Sequence, residues 1–538
     1  MSKVLRELGI EIPPEEDTPF VRKLVGIIEQ LVEQVQQLKG LPSLPKREPA
    51  PSSLLDPSTP PSKQGSGSGK KKKKRKKRKP GVKGSKFKDL KIDQTIVIEP
   101  DQVQPGARLV GYKSFIQQEL MLEVINIRYR RPYYENSDGT LDITPRPEYL
   151  SGHYGPSLKS HILYQYYHNQ VTQPLIYQEL RELGVRISKG QISNLLTLGH
   201  DQFHEEKDDL LPAAREVSKV LHTDDTTARH LGKNAHTLHI GNEFFASFVT
   251  TWSKSRINFL EILRAPYNDY VLSDDTVNYL EYFGLPKYVR AILEAKTEEY
   301  CWTWESEKKL LAQLKKWGID KADHQRLIVE ATLWGSLVEH ELYSDISFMS
   351  DGATTYKLLG FGHGLCWLHA ERSLARLIPL DRRQKRAYDD ARDALWSYYQ
   401  RLKAYRTNPT AAECTRLEAD FDAVFLKQWG WTEVNEVMHK IHGKKEDLLL
   451  VLKHPEVPTH NNLSENDIRQ FAKLRKISGS TRSEDGRRSR DTFLSLKTTC
   501  RKLAISFRKF LQDRIFGHNQ IPRLGDIIRQ RGHTAAAN

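Results

Sequence analysis

Residues 459–476 read THNNLSENDIRQFAKLRK, a loop that tips into a helix. Asn462 is a favoured N-cap residue, and Glu465 stands three residues further on, the spacing of a capping box. Arg469 follows Glu465 by four residues, and Lys473 and Lys476 continue the same side. One acid therefore sits on a basic face. Taken alone, this is an ordinary helix start in which Glu465 caps and pairs with Arg469. The functional alternative makes Glu465 a metal ligand facing a phosphate, with the cations behind it holding a nucleic-acid backbone. Two upstream segments bear on that choice: HTDDTT at 222–227 and SDGATTY at 350–356.

Asp224 and Asp225 lie in VLHTDDTT (220–227), a β pattern in which Asp is depleted. Successive strand side chains point to opposite faces, so one of the two acids faces any site; periodicity does not choose which. Asp351 follows a short apolar strand as Asp-Gly, which alone is a turn signal. Together Asp224, Asp351 and Glu465 form an Asp…Asp…Glu series interrupted by long insertions. Phosphoryl transfer on DNA needs such carboxylates from separate elements: hard cations take oxygen ligands, and two of them roughly 3.5–4 Å apart serve the attacking and leaving oxygens.

The flanking pattern predicts an α/β chain with a ribonuclease-H-like catalytic core over 213–515. Strands are expected at 219–227, 237–240 and 244–251, with Gly241-Asn242 as a tight turn, then a helix at 255–263. Short strands at 345–349 and 363–368 follow, the second leading into a helix from 370. Two helical insertions, at about 265–342 and 378–457, interrupt this order. Upstream, Val21, Leu24, Ile28, Leu31, Val35 and Leu38 keep a heptad seam, so 1–45 reads as an N-terminal helix or coiled coil. Residues 46–90 read as a disordered basic linker. Residues 91–150 read as a small β module, from alternating runs at 94–100 and 120–134 and the turn signal NSDG at 136–139. Helices at 157–167, 173–183 and 189–198 make 151–212 a helix-turn-helix-like region, whose third helix presents Lys189, Gln191 and Asn194 to DNA. Residues 516–538 read as a C-terminal tail.

The bulk numbers agree with a polyanionic partner. The 538 residues carry a formal charge of +15, concentrated in the run KKKKKRKKRK at 70–79 and again after Glu465. No apolar run is long enough for a bilayer span, so no membrane partner is expected. The four cysteines, Cys301, Cys366, Cys414 and Cys500, make no Cys-x-x-Cys pair, which argues against a disulfide framework.

LHTDDTT (221–227), FMSDGATTY (348–356), CWLHAER (366–372) and HNNLSENDIR (460–469) with LRK (474–476) together resemble the DDE transposases of bacterial insertion sequences, in particular the insertion-sequence-66-like family, over roughly 146–511. The resemblance implies Asp224, Asp351 and Glu465 as catalytic residues and ligands for Mg²⁺, with Mn²⁺ as a substitute. Asp225 stands where that family has Glu, and Cys366, His369 and Arg372 are supporting residues. The implied reaction is metal-dependent strand cleavage at transposon ends, exposing a 3′-hydroxyl that attacks target DNA. Arg469, Lys473, Arg475, Lys476 and Arg482, with Arg487 and Arg488 beyond, would hold double-stranded DNA by its backbone. A homodimer or higher assembly on DNA is implied, in a bacterial cytoplasm at the nucleoid. One departure is that residues 87–147 lack the cysteines of the family's N-terminal zinc module. No zinc is expected, because Cys366 and His369 have no further ligand at recognisable spacing. The competing readings are a structure-specific endonuclease on the same core, which cuts without joining, and a non-catalytic DNA-binding protein derived from a transposase.

Overall fold

The computed structural model describes residues 91–98, 107–145 and 152–537, apart from 115, 119, 121, 299 and 344. The expected heptad helix and basic linker lie outside the described residues.

The segment read as a β module carries little regular strand among its described residues. Among its described residues, paired backbone is confined to a hairpin of Tyr133–Glu135 with Leu141–Ile143, closed by the expected turn at 136–139. Ile96, Ile98, Leu120 and Ile125 are exposed and unpaired. Alternation specifies a strand only where one face has something to pack on, and none of the described residues covers these.

The three expected helices are present: α1 (Pro156–Leu163, continued by a π-helical turn Tyr164–His168), α2 (Gln173–Glu182) and α3 (Lys189–Thr197). Ser188 Oγ caps α3 by accepting the Gln191 N–H at 3.1 Å, as its sequence position requires. These helices do not form a separate bundle. Ile162, Ile176, Ile192 and Leu196 share one apolar core with Leu221, Ile240 and Phe245 of the sheet region.

A five-stranded sheet follows: β1 (Val220–His230), β2 (Lys233–Gly241), β3 (Ala246–Thr251), β4 (Ser347–Ser350) and β5 (His363–Leu365). Its order is β3-β2-β1-β4-β5, with β1–β2 and β2–β3 antiparallel and β1–β4 and β4–β5 parallel. β1 runs past its expected end and turns at Leu231-Gly232, with φ of +48° and +74°. Positive φ at both positions matches strand twist across a two-residue hairpin, and Gly232 adopts it without a Cβ clash. The Gly241-Asn242 turn is instead a longer loop, in which Asn242 Oδ1 accepts the Phe244 and Phe245 N–H groups at 2.8 and 3.2 Å.

Helix α4 (Arg256–Leu263) packs Phe259 against Phe348 of β4 and Tyr356. The first insertion is not wholly helical. Tyr270–Leu272 pairs antiparallel with Trp302–Trp304, two runs whose aromatic and β-branched residues favour strand. After β5, helix α5 (Trp367–Ala375) begins sooner than expected, so CWLHAER lies on its first turns. The second insertion, from α6 (Arg382–Thr407) to the Leu450–Lys453 helix, has its own core around Trp367, Tyr399, Phe421 and Phe425. Trp367 anchors that insertion to α5, its Nε1 donating to Leu448 O at 3.0 Å.

Helices α7 (Asn462–Ser478) and α8 (Glu484–Lys502) cover a face of the sheet. Phe471, Leu474 and Leu494 sit on Ala228, Ala235 and Ala246, whose small side chains let the helices come close. α9 (Phe507–Ile515) joins the core next to α1. The expected C-terminal tail is instead helix α10 (Leu524–Ala537), with Leu524 and Ile528 fully buried and Arg529 paired to Asp209 and Glu216 at 3.2 and 2.9 Å. Its i, i+4 apolar pair was the overlooked helix signal. No described helix is long and apolar enough to cross a membrane.

A candidate carboxylate site at the edge of the sheet

Strand alternation in β1 separates the two neighbouring acids. His222, two residues before Asp224 and so on its face, lies 2.8 Å through Nδ1 from Asn461 Oδ1 at the start of α7. Asp225 points the other way. Its Oδ2 accepts the Tyr356 hydroxyl at 2.6 Å and pairs with Lys254. Asp225 therefore ties the loop after β4 to β1, and Asp224 faces α7. Asp351 begins that loop, its Oδ1 accepting the Ala353 N–H at 3.2 Å. Ser350 Oγ holds the Gly352 N–H at 3.2 Å and lies 2.8 Å from His363 Nε2.

Glu465 lies in the first turn of α7 but is no capping-box partner. The N-cap position is Asn461, not Asn462, and no side chain caps the helix. Asn461 is fully buried because it is used elsewhere. Its Nδ2 donates to Thr223 O at 2.9 Å, its Oδ1 meets His222, and its backbone N–H donates to Cys366 Sγ at 3.2 Å. One side chain thus fixes α7 against both β1 and α5. The Glu465 carboxylate receives Arg372 Nη1 and Nη2 at 3.3 Å each, a two-pronged contact, and Arg469 at 3.6 Å. The expected Arg469 pairing is present, and Arg372, expected as a supporting residue, pairs directly with Glu465.

The electrostatics connect the three acids. Asp224 is pushed up to about 7, first by burial and next by the charge of Asp351, with Asp225 and Glu465 adding; the Asp225 N–H on its Oδ1 at 2.8 Å pulls the other way. A carboxyl in such a place needs a proton or a cation to settle its charge. His369 is pushed down by burial and then by Arg372, against the pull of Glu465 and Asp351. Arg372 Nη1 lies 2.9 Å from His369 Nε2. Arginine can only donate, so Nε2 accepts and the ring proton is assigned to Nδ1, 3.8 Å from Glu465. The charges of Asp351 and Glu465 thus reach Asp224, and those of Arg372, Glu465 and Asp351 reach His369.

Cys366 also belongs here. A Cys366 sulfur, a His369 nitrogen and a Glu465 oxygen lie within 4.8 Å of one another. The expectation that Cys366 and His369 lack a third possible ligand is therefore corrected: sequence spacing could not reveal Glu465, which is brought in by α7. The Cys366 thiol is pushed up by burial, and Glu465 is engaged by Arg372.

A buried network beneath Glu465 escaped the sequence reading. Asp467, two residues on, faces the sheet and lies 3.2 Å from His239 Nε2, 2.6 Å from Lys502 and 2.9 Å from Arg501. His239 Nδ1 lies 2.6 Å from Ser464 Oγ. The signal was available: in a helix, residues two apart point to opposite sides, so an outward Glu465 requires an inward Asp467 with a buried cation.

The expected DNA-contacting residues divide. Lys189, Asn194, Lys473, Lys476, Arg482 and Arg488 are exposed, and Gln191 is half-buried. Arg475 is half-buried, and its Nη1 bonds Thr227 O and Oγ1, stapling α7 to β1. Arg487 is used similarly, donating to Thr250 O and Glu484 at 2.8 Å. Arg469 bonds Asn466 Oδ1 at 2.8 Å besides Glu465.

Comparison with known proteins gives two matches. Residues 292–489 match the model of the Transposase IS66 family, a span that takes in Asp351, the Cys366–Arg372 motif and Glu465 but not Asp224. A protein of Sinorhizobium fredii (strain NBRC 101917 / NGR234), named only as uncharacterized protein y4jO, is 38% identical over 309 residues, covering 57% of this chain and 94% of the relative.

Proposed function

The chain belongs to the Transposase IS66 family, and on that ground we propose that it is a DDE-type DNA transposase, cutting strands at transposon ends and joining the freed 3′-hydroxyls to target DNA. The observation that carries this reading is Asp224, half-buried on the central strand β1 and held near 7 in the field of Asp351 and Glu465. The sheet order, with three antiparallel strands followed by two parallel ones, supports a ribonuclease-H-like core.

The donor set suits Mg²⁺ or Mn²⁺, being three carboxylates with hard oxygen atoms. Asp224 and Asp351 make no ion pair among the described residues, so their charge is available to a cation. When bound, divalent cations supply the Lewis acidity that activates the attacking oxygen and stabilises the leaving one. The chain's own residues do the rest. Asn461 and Asp467 fix the start of α7, so Glu465 is presented from a rigid element. Arg372 orients Glu465 and is a donor for a phosphate oxygen. Tyr356 and Asp225 hold the loop that carries Asp351. Lys473, Lys476 and Arg482 bind the DNA backbone by charge, and α3 offers Lys189 and Asn194 to a groove. Acting on two ends calls for a dimer or larger assembly on DNA, at the bacterial nucleoid.

The test is three variants, Asp224→Ala, Asp351→Ala and Glu465→Ala. Each is expected to bind DNA as the parent does and to lose Mg²⁺-dependent cleavage and joining of pre-cut ends by about a thousand-fold or more, a barrier change of about 4 kcal/mol. Retained cleavage in any one of them overturns the assignment. Cleavage without joining by the parent protein would instead favour the endonuclease reading.

A further inference from the structure

The second insertion carries a cleft that the proposed chemistry does not use. It is lined by Arg382, Arg383, Arg386 and Asp390 of α6 and by Trp429 from the loop before the Thr432–His442 helix, and has a volume of about 430 Å³. The three arginines are exposed, and none makes a hydrogen bond or ion pair among the described residues. Other arginines of this insertion are engaged: Arg392 with Glu371 at 2.6 Å, Arg401 with Glu413 and Asp420 at 3.0 and 2.6 Å, and Arg406 with Pro455 O at 3.1 Å. Lys427 adds a fourth cation, its ammonium 4.3 Å from the centre of the Trp429 ring. The Trp429 indole N–H is buried with no acceptor among the described residues. The cleft is therefore rich in donors, has one acid in Asp390, and has an aromatic wall. Such a donor set fits a ligand that is all acceptor at its charged edge, as a phosphodiester backbone is.

The cleft also has a fixed relation to the carboxylate site. The Arg392–Glu371 pair joins α6 to α5 next to Arg372, which holds Glu465. Arg386 and Arg382 precede Arg392 on a continuous helix by six and ten residues, which is about 9 and 15 Å along its axis. At about 3.4 Å per base pair, that offset corresponds to some three to five base pairs of duplex.

We propose that this cleft is a second DNA-binding site, gripping the backbone of the duplex a few base pairs from the phosphate that is cut. The binding part stands on the charge and geometry of the cleft; the placement relative to the cut rests on the transposase reading. The probe is a mixed-sequence duplex titrated against the full chain without divalent metal, at several salt concentrations. The triple variant Arg382→Ala/Arg383→Ala/Arg386→Ala is expected to lower the slope of log K against log salt by up to about 2.7, at about 0.9 per lost phosphate contact, and the triple Arg→Lys variant is expected to keep most of it. Single variants Arg382→Ala and Arg386→Ala, each expected to lower the slope by about 0.9, carry the test if the triple variant does not fold. An unchanged slope overturns the proposal. So does unchanged DNA binding with loss of self-association, which would make the cleft a seat for an acidic face of a second copy. The two readings fail separately. If Asp224→Ala abolishes cleavage and the slope is unmoved, only the cleft falls; if the slope moves while Asp224→Ala still cuts, only the carboxylate reading falls.

Discussion

Asn in place of Asp224 should make the metal-free protein more stable at pH 8, by an amount that shrinks in acid. The native carboxyl is held near 7 against an ordinary value of 3.8. In the unfolded chain it ionises near 3.8, so between about pH 4 and pH 7 the native state keeps a proton that the unfolded state has released. Native stability therefore falls as pH rises through this window. The full displacement is worth about 4 kcal/mol, and between pH 4.5 and pH 8 about 3 kcal/mol of it develops. Asparagine has no charge to bury and keeps an oxygen for the Asp225 N–H that Asp224 accepts at 2.8 Å. Urea or thermal unfolding of parent and Asp224→Asn, in chelator at a series of pH values, reads the difference directly. Mg²⁺ should then stabilise the parent and do much less for the variant, because a cation supplies the compensation that the proton otherwise gives. A variant that is destabilised throughout, or whose advantage does not change with pH, would refute the argument that like charges and burial converge on Asp224.

Two further outcomes follow from the supports around the site. Asp467→Asn leaves Lys502 buried without its counter-charge and should cost about 3–5 kcal/mol, read by denaturant unfolding at neutral pH. Burial pushes Asp467 up, but His239 and Lys502 outweigh it and hold the carboxyl below its ordinary value; its contribution is thus present above about pH 4 and lost as pH falls through the depressed native value, so the variant's deficit should narrow in acid, and a deficit independent of pH would count against the network. Tyr356→Phe removes the hydroxyl that Asp225 accepts at 2.6 Å and should cost about 1.5–3 kcal/mol of stability; because the loop bearing Asp351 is loosened, cleavage should need more Mg²⁺, and an unchanged Mg²⁺ requirement would separate Tyr356 from the site.

What was legible in the sequence were features set by local chemistry. The helices read from 189 and 255 are present, and in the structure Ser188 and Ser255 cap them by accepting the Gln191 and Asn258 N–H groups. The order of strands and the apolar runs of β1 and β4 could be read from periodicity. What was hidden depended on partners distant in the chain. Nothing local marks Arg372 as the partner of Glu465, since α5 and α7 are far apart in the chain and meet through contacts such as the Asn461 N–H on Cys366 Sγ and the Trp367 N–H on Thr459 O. Asn462 looked the better cap because capping is a local rule, yet the neighbouring Asn461 takes the N-cap position and spends its side chain on His222 and Thr223, which lie more than two hundred residues away in β1. Arg475 looked like a phosphate ligand for the same reason, and a backbone carbonyl of β1 claims it instead.

The same distinction explains the uneven charge of the site. Glu465 is compensated by Arg469 of its own helix and by Arg372 of α5. Asp224 comes from the part of β1 that lies beyond its pairing with β4, and Asp351 directly follows the end of β4. Asp225 has drawn off the nearby Lys254 and the Tyr356 hydroxyl to the opposite face. The uncompensated charge therefore collects on the two aspartates, while the glutamate is held by an arginine that a phosphate oxygen can also engage. In this arrangement a divalent cation would find its strongest demand between Asp224 and Asp351, and an incoming DNA phosphate would compete with Glu465 for Arg372. On the proposed transposase reading, Glu465 released from that pair would be free to serve as a third ligand, and completion of the metal site would then depend on DNA.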